Sequence, residues 1–205
     1  VAPAPAAPAA PAAPAGPLML VEADYADAAT ELRCDVAAIH AVDSVESNGH
    51  GFAPDGRPII LFEPHVFSRL TQHRFDSTHG GVSYPKWGEK PYPKDQKARW
   101  DQMSYAGRLD RSAAYQAASW GRFQIMGFNH AACGFETVDT FVAAMMAGER
   151  EHLMAFVKFV LTNHLDDELR AHQWAAFAER YNGPGFKTNA YDKKLQQAHE
   201  RYIVS

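Results

Sequence analysis

The sequence is poor in cysteine and in metal-binding motifs. It has two cysteines, Cys34 and Cys133, far apart and in no CxxC pattern. They either form a disulfide, if the protein matures outside the cytoplasm, or remain free thiols in the core. The ten histidines are scattered and give neither HExxH nor a Cys/His cluster at zinc spacing. The sequence therefore predicts no metal site and no cofactor.

Long apolar runs and basic runs are absent as well. The apolar run at 156–161 is far shorter than the roughly 20 residues of a membrane-spanning helix, which predicts no membrane span. Lysine and arginine number 20 against 24 acidic residues, for a formal net charge of −4. Because nucleic-acid-binding proteins present a basic surface, this balance argues against a nucleic-acid partner. The proportions of hydrophobic residues, 46%, and charged residues, 21%, are typical of a soluble globular protein.

The N-terminal segment differs from the rest of the chain. Residues 1–17 are almost entirely alanine and proline, with no charged and no large side chain. Such a segment cannot form a core, and it favours an extended, semi-rigid linker or else a disordered tail without a role. The remainder, 18–205, is long enough for one domain with a substantial core. Because the chain begins with valine and lacks the features of a signal peptide, we expect a further module upstream in the same polypeptide.

Helical spacing of apolar residues dominates this domain. A strong turn signal, Pro-Asp-Gly-Arg at 54–57, precedes an apolar run at 59–62, and together they predict a small β-hairpin. The fold class is therefore mostly α, an α+β domain with one small hairpin. The predicted helices cover about 25–32, 35–46, 64–70, 97–109, 112–118, 138–146, 153–161, 174–181 and 191–202.

One predicted helix ends with a glutamate in an unusual position. Asp35 is a suitable N-cap, and Ile39, Val42 and Glu46 lie at i, i+3 and i+7 on the face that the two aliphatic residues would bury. The glycines that follow end the helix. Burial and the negative end of the helix dipole both raise the pKa of a carboxyl group, which favours a protonated glutamate near neutral pH. Glu46 is thus either a candidate general acid or an ordinary exposed glutamate.

A long segment without helical periodicity, from 73 to 95, contains three aromatic residues, Tyr84, Trp87 and Tyr92. A loop of this length in a compact domain is usually functional or disordered. Flat aromatic faces stack on sugar rings, so these residues either form a wall of a carbohydrate cleft or hold the loop against the core. Further along, Gln124 is the single amide in an apolar run, which suggests that it faces a wet cleft.

Three segments together resemble one known family: VESNGHGF at 45–52, ASWGRFQIMGF at 118–128 and FAERYNGPGF at 177–186, with LFEPHVF at 61–67 as a fourth. They are similar to the N-acetylmuramidase domain of phage endolysins and related secreted bacterial effectors, and also to goose-type lysozymes and soluble lytic transglycosylases. The resemblance covers about 20–204. It implies a lysozyme-like catalytic domain that cleaves the β-1,4 bond between N-acetylmuramic acid and N-acetylglucosamine in peptidoglycan.

The resemblance also implies roles for individual residues. Glu46 stands in the Glu-Ser pair that ends a helix and would be the catalytic acid, with Ser47 beside it. Gln124 belongs to the Gly-x-x-Gln-Ile motif that lines the cleft, and Tyr181 and Asn182 form the Tyr-Asn motif that lies across from the acid. The expected substrate-binding residues are therefore Ser47, Gln124, Tyr181 and Asn182.

The resemblance leaves the second carboxylate open. Glycosidases usually need two, whereas lytic transglycosylases need only the acid because a hydroxyl of the substrate attacks. We prefer Glu63 over Asp55, because a strand leaving the Glu46 helix would return Glu63 to the cleft edge. The alternative for Glu63 is a first-turn acid that the helix dipole favours, and Asp55 in Pro-Asp-Gly is more typical of a turn.

The function expected from these residues is that of a peptidoglycan hydrolase made in the cytoplasm and acting on the cell wall. Its partners would be peptidoglycan glycan strands. The alternatives are a lytic transglycosylase that gives 1,6-anhydro products and a non-catalytic cell-wall binding module. The sequence does not distinguish a phage endolysin from a secreted effector.

Overall fold

The computed structural model describes residues 19–47 and 49–204. Within these residues the chain forms ten α-helices and a three-stranded sheet. The linker expected at 1–17 lies outside these residues. Helix accounts for 58% of the structure, as the mostly α prediction requires. The helices are α1 (Glu22–Leu32), α2 (Val36–Ser47), α3 (Pro64–Leu70), α4 (Gln96–Leu109), α5 (Arg111–Gln116), α6 (Val138–Ala147), α7 (Glu149–Thr162), α8 (Asp166–Arg170), α9 (Trp174–Asn182) and α10 (Tyr191–Ile203).

The sheet is small and antiparallel. Its strands are β1 (Ile60–Phe62), β2 (Ala118–Trp120) and β3 (Ile125–Met126), in that spatial order. The register pairs Ile60 with Trp120 and pairs Trp120 in turn with Ile125. Two 3₁₀ turns complete the secondary structure, one after β3 and one after α9, at Gly127–Asn129 and Pro184–Lys187.

The predicted β-hairpin is present only in part. The turn at 54–57 is closed by a single bridge between Phe52 and Pro58, and Ala53 accepts the amide hydrogen of Gly56. Strand β1 pairs instead with β2, in the 118–128 segment where the sequence analysis assigned no strand. Strands of two or three residues are too short to show an alternating pattern, so their pairing becomes evident only in the folded chain.

The core is built around the helical pair α6 and α7, which was predicted from the apolar residues between 138 and 161. The two helices meet at Gly148, and α7 begins at Glu149 rather than near Leu153 as predicted. Acidic residues in the first turn of α7 favour this earlier start through the helix dipole. On the inner face of α7, Phe156 is fully buried and stacks on Phe123 with 4.7 Å between ring centroids.

Helix α2 packs against α1 and α10. Asp35 caps its N-terminus as predicted, because the Asp35 Oδ1 atom accepts the amide hydrogen of Ala38 at 2.8 Å. Ile39 and Val42 are buried in the core. These contacts fix the position of α2, and Glu46 in its last turn is half-buried.

Both cysteines are free thiols, with Cys133 buried and Cys34 half-buried. Burial raises the pKa of Cys34 to about 11 and that of Cys133 to about 12. Among the described helices, none combines the length and the apolar character that crossing a bilayer requires.

Candidate active site

A cleft of about 240 Å³ opens where the C-terminus of α2 meets the sheet. Its lining residues come from the end of α2, the loop after it, the start of β1 and the turn between β2 and β3. They are Glu46, Ser47, His50, Ile59, Gly121 and Gln124. A neighbouring hollow of about 420 Å³ shares His50 and Ile59 with this cleft and continues it along the turn at 54–57. The two hollows together form a groove that runs from Glu46 to the turn at 54–57.

Glu46 is half-buried at the edge of this cleft. Burial raises the pKa of its carboxyl group to about 7, while smaller effects of Asn182 and Lys194 lower it. Asn182 Nδ2 donates a hydrogen bond to Glu46 Oε1 at 2.8 Å. A carboxyl group with a pKa near 7 can give up a proton and take it back at neutral pH, as a general acid must.

Asn182 has a second polar atom at the site. It ends α9, and its Oδ1 atom is buried without a hydrogen-bond partner among the described residues. Buried polar groups are nearly always satisfied, so this unsatisfied acceptor beside Glu46 is unusual.

Tyr181 lies behind the site rather than at its surface. Its hydroxyl donates to the Phe123 carbonyl oxygen at 3.0 Å, and its ring stacks on Phe177 with centroids 5.3 Å apart. Burial, with a smaller contribution from the negative charge of Glu46, holds the pKa of Tyr181 well above its usual range. Tyr181 therefore connects the end of α9 to the cleft backbone, and its hydroxyl already has a partner.

Ser47 and Gln124 both line the cleft, and both have hydrogen-bond partners within the protein. The Ser47 hydroxyl donates to the Asp43 backbone carbonyl at 2.7 Å and accepts from the amide of Gly49 at 2.8 Å, which secures the end of α2. Gln124 Nε2 donates to the Gly121 carbonyl at 2.8 Å, and its Oε1 atom accepts from Ser119 at 2.9 Å. These bonds fix the side chain of Gln124 toward the cleft.

The two other carboxylates considered from the sequence have different surroundings. Glu63 follows β1 and precedes α3, outside the set of residues that line the Glu46 cleft. Its Oε2 atom accepts from the hydroxyl of Tyr92 at 2.5 Å, and burial raises the pKa of its carboxyl group. Asp55 lies on the exposed turn and pairs with Arg57 at 2.6 Å, which holds the pKa of Asp55 below its usual range. Asp55 thus stabilises the turn.

A buried charge network behind the cleft was missed by the sequence analysis. Arg122 forms a two-pronged ion pair with Asp43, with Nη2 and Oδ2 2.6 Å apart. Its Nη1 atom donates to Glu149 Oε2 at 2.6 Å and to the Gly49 carbonyl at 2.9 Å, and Tyr25 donates its hydroxyl hydrogen to Asp43 at 2.7 Å. A signal was present in the sequence, because Arg122 is the only charged residue within the apolar segment 117–128.

His152 packs the two cleft loops together. Its ring nitrogen Nδ1 accepts the amide hydrogen of Arg122 at 3.1 Å, and its Nε2 atom contacts the Met145 carbonyl at 2.7 Å. Burial lowers the pKa of His152 to about 4, so the ring is neutral and can accept this bond. A Cβ atom on either Gly51 or Gly121 would come within 2.6 Å of the ring. Only glycine fits at these two positions.

The fold and the site together define a class of protein. A mostly α domain with a small antiparallel sheet, and a half-buried glutamate that ends a helix at the edge of a cleft, are features of a lysozyme-like fold. The chain belongs to the N-acetylmuramidase family, whose sequence model, described as "Muramidase: N-acetylmuramidase", matches residues 35–203. Members of this family are peptidoglycan-cleaving enzymes.

A solved structure supports the same assignment. The chain is similar to the crystal structure of Burkholderia AP3 phage endolysin, with a TM-score of 0.85 and 41% sequence identity. The similarity covers 92% of this chain and 72% of that one. A comparison with curated proteins gave no match.

Proposed function

We propose that this protein is an N-acetylmuramidase that hydrolyses the β-1,4 bond between N-acetylmuramic acid and N-acetylglucosamine, with Glu46 as the general acid. One observation carries the proposal: Glu46 borders a cleft that continues into a longer groove, and burial raises the pKa of its carboxyl group to about 7. Family membership and the similarity to a phage endolysin support peptidoglycan as the substrate. The protein would act on glycan strands of the cell wall.

In the proposed first step, Glu46 donates its proton to the glycosidic oxygen as the bond to the muramic acid carbon breaks. Positive charge then develops on the sugar ring, and the carboxylate left on Glu46 lies beside it. The unpartnered Oδ1 atom of Asn182 would accept a hydrogen from an N-acetyl group, a donor that every sugar of the strand carries. Ser47 and Gln124 would contact the sugar from the cleft walls, while Tyr181 positions Asn182.

The proposed second step is attack by water, with Glu63 as the residue that orients it or stabilises the positive charge. The hydrogen bond from Tyr92 holds Glu63 at the end of β1 and favours the ionised carboxylate that this role needs, whereas burial raises the pKa of Glu63 and opposes it. The alternative is a lytic transglycosylase, in which the 6-hydroxyl of the substrate attacks in place of water. The position of Glu63 outside the residues that line the Glu46 cleft favours this alternative, whereas the hydrogen bond from Tyr92, which stabilises the carboxylate of Glu63, favours hydrolysis.

Replacement of Glu46 tests the proposal. We expect Glu46→Gln to release soluble muropeptides from purified sacculi at least about 100-fold more slowly, because glutamine has no proton to donate. Glu179→Gln is the matched control, since Glu179 is an exposed glutamate on α9 and should retain full activity. Near-normal release by Glu46→Gln would rule out its role as the acid.

The products of the wild-type reaction then separate the alternatives. Mass spectrometry distinguishes reducing ends, which hydrolysis gives, from 1,6-anhydromuramic ends, which are lighter by one water. Reducing ends together with a slow Glu63→Gln variant would support the role of Glu63, whereas anhydro ends would identify a transglycosylase. If wild-type protein instead sediments with sacculi without dissolving them, the domain is a binding module.

A further inference from the structure

One carboxylate and two imidazoles meet at the end of α2 opposite to Glu46. His172 Nε2 lies 2.6 Å from Asp35 Oδ2, and His199 Nε2 lies 3.0 Å from Asp35 Oδ1. A ligand atom from each of the three side chains lies within 4.8 Å of the other two. Among the described residues this is the only such group of three. The three positions are far apart in the sequence, which is why the sequence predicted no metal site.

We propose that Asp35, His172 and His199 bind a divalent transition-metal ion of the Zn²⁺ type. Neutral imidazole nitrogen and carboxylate oxygen are the ligands that Zn²⁺ commonly takes from proteins. Mg²⁺ and Ca²⁺ require oxygen ligands, so a set with two nitrogens disfavours both. The two nitrogen ligands and one oxygen ligand therefore favour a Zn²⁺-type ion over Mg²⁺ or Ca²⁺.

The present distances suit such an ion. Ligands 2.0–2.1 Å from a tetrahedral Zn²⁺ lie about 3.3 Å from one another. The two nitrogen–oxygen distances, 2.6 and 3.0 Å, would need to lengthen by about 0.7 and 0.3 Å. An ion would then replace the hydrogens that join each imidazole to the carboxylate.

The two rings are also held in orientation. Trp174 lies 5.5 Å from the His172 ring and 5.0 Å from the His199 ring, measured between centroids, and stacks on the first. His199 is only 5% exposed, so its ring is fixed by packing. Asp35 is fixed as the N-cap of α2. Ligands that are already in position lose little entropy when an ion binds.

Solvent can reach the group through a hollow of about 380 Å³ that His172 and Trp174 help to line. Asp192, Lys193 and Gln196 line the same hollow. Asp35 and His172 are exposed, whereas His199 is buried. Water from this side can fill the fourth position of a tetrahedral site, so we expect an ion that exchanges with solvent and that a chelator removes.

The ion would join three separate parts of the chain: the start of α2, the residue two positions before α9, and α10. Asp35 and Glu46 are separated by about 16 Å along α2, at 1.5 Å per residue. The ion is therefore too distant to take part in a reaction at Glu46. It would stabilise the packing of α2 against α9 and α10, and this proposal stands independently of the proposed function.

The test uses untagged full-length chain that has been treated with EDTA and dialysed. We expect ZnCl₂ at about 100 times its Kd to raise the Tm by roughly 5–10 °C, and MgCl₂ or CaCl₂ to leave it unchanged. Isothermal titration calorimetry should give one Zn²⁺ per chain. Zinc that neither binds nor stabilises would show that the three residues form a hydrogen-bonded clamp only, and would overturn the proposal.

Single substitutions locate the ion. His172→Ala should lower the Zn²⁺ affinity at least tenfold, and the exposure of His172 makes a folded variant the expected outcome. His73→Ala is the matched control, because exposed His73 also pairs with an aspartate, Asp76, at 3.0 Å, but outside any group of three ligands. It should bind Zn²⁺ as the wild type does. Equal binding by wild type and His172→Ala would place the ion elsewhere and would overturn the proposal.

Discussion

At the scale of single residues, the protonation of Glu46 is set by opposing effects. Burial raises the pKa of its carboxyl group to about 7, while the hydrogen bond from Asn182 and the positive charge of Lys194 lower it. The hydrogen bond favours the charged form because Asn182 donates to it. Asn182 therefore controls the pH at which Glu46 holds a proton.

This balance predicts the pH profile of an Asn182→Leu variant. A general acid acts in its protonated form, so kcat/KM should fall as the pH rises through the pKa of Glu46, near 7 in the wild type. Removal of the hydrogen bond raises this pKa and should move the alkaline limb to higher pH, even if the maximal rate is lower. The measurement is the pH dependence of turbidity loss in a sacculus suspension.

The control for this shift is Asn163→Leu. Asn163 is also an amide at the end of a helix, but its Nδ2 atom donates to the Phe159 carbonyl at 2.8 Å, away from the cleft. The alkaline limb of the pH profile of Asn163→Leu should coincide with that of the wild type. If the alkaline limb of the Asn182→Leu profile stays in place or moves to lower pH, the pKa near 7 does not belong to Glu46.

Residue types and periodicity were sufficient to find part of the candidate site. The i, i+3, i+7 spacing places Glu46 on a buried helix face, and the structure gives it a half-buried position at the cleft. Arg122 was not found, because its partners, Asp43 and Glu149, are separated from it by 79 and 27 positions. Sequence spacing cannot show pairing between residues that are so far apart in the chain.

At the scale of secondary-structure elements, Arg122 joins the end of α2, the loop after it, the β2–β3 turn and the start of α7. Each of these contacts is a charge-assisted hydrogen bond of the Arg122 guanidinium in a buried environment. The arginine neutralises two buried carboxylates at once, and both it and its partners are almost completely excluded from solvent. The end of α2, the β2–β3 turn and the start of α7 are thereby fixed around one cleft.

We expect Arg122→Met to be strongly destabilising. It leaves the carboxylates of Asp43 and Glu149 buried without their cation, a change that typically costs about 3–5 kcal/mol. For a domain of this size the Tm should fall by roughly 6–20 °C. Thermal unfolding followed by circular dichroism measures the difference.

Arg111→Met provides the comparison for this variant. Arg111 also pairs with one carboxylate, Asp139, at 2.9 Å, but both side chains are largely exposed. Exposed ion pairs contribute at most about 1 kcal/mol, so the Tm should change by no more than roughly 4 °C. Similar losses in the two variants would show that the Arg122 network has no special role in stability.

The elements themselves were predictable in proportion to their length. Helices such as α2, α7 and α9 carry several turns of apolar periodicity, and the sequence analysis found each of them. Strand β2 has three residues and pairs with β1, almost 60 positions earlier, and β3, with two residues, pairs with β2. The residues of such a short strand do not indicate a pairing partner that lies so far away in the sequence.

At the scale of the whole molecule, the raised pKa of Glu46 affects the stability of the fold. The pKa of Glu46 is about 7 in the folded protein against an ordinary value of 4.5, so the folded state binds more protons than the unfolded state between these values. Stability from this group is fully present below about pH 4.5 and is lost as the pH rises through 7. The ionised acid therefore weakens the domain at alkaline pH.

Glu46→Gln should reverse this loss, because glutamine stays neutral. At pH 8 we expect the variant to unfold at a Tm roughly 2–12 °C above that of the wild type, for a difference on the order of 1–3 kcal/mol. At pH 4 the two proteins should unfold together. Calorimetric scans at both pH values make the comparison, with Glu179→Gln as control. A variant less stable than wild type at pH 8 would contradict the raised pKa.

The close packing of His152 against the two cleft loops determines how the protein opens. The backbone amide of Gly51 donates to Glu149 at 2.5 Å, and that of Arg122 donates to His152 at 3.1 Å, so loop amides have partners on the central helix α7. Amide hydrogens held in this way exchange with solvent only when the structure around them unfolds. The borders of the cleft then belong to the same cooperative unit as the core. Heating should abolish the cleft and the fold in a single transition, without an earlier loosening of the loops.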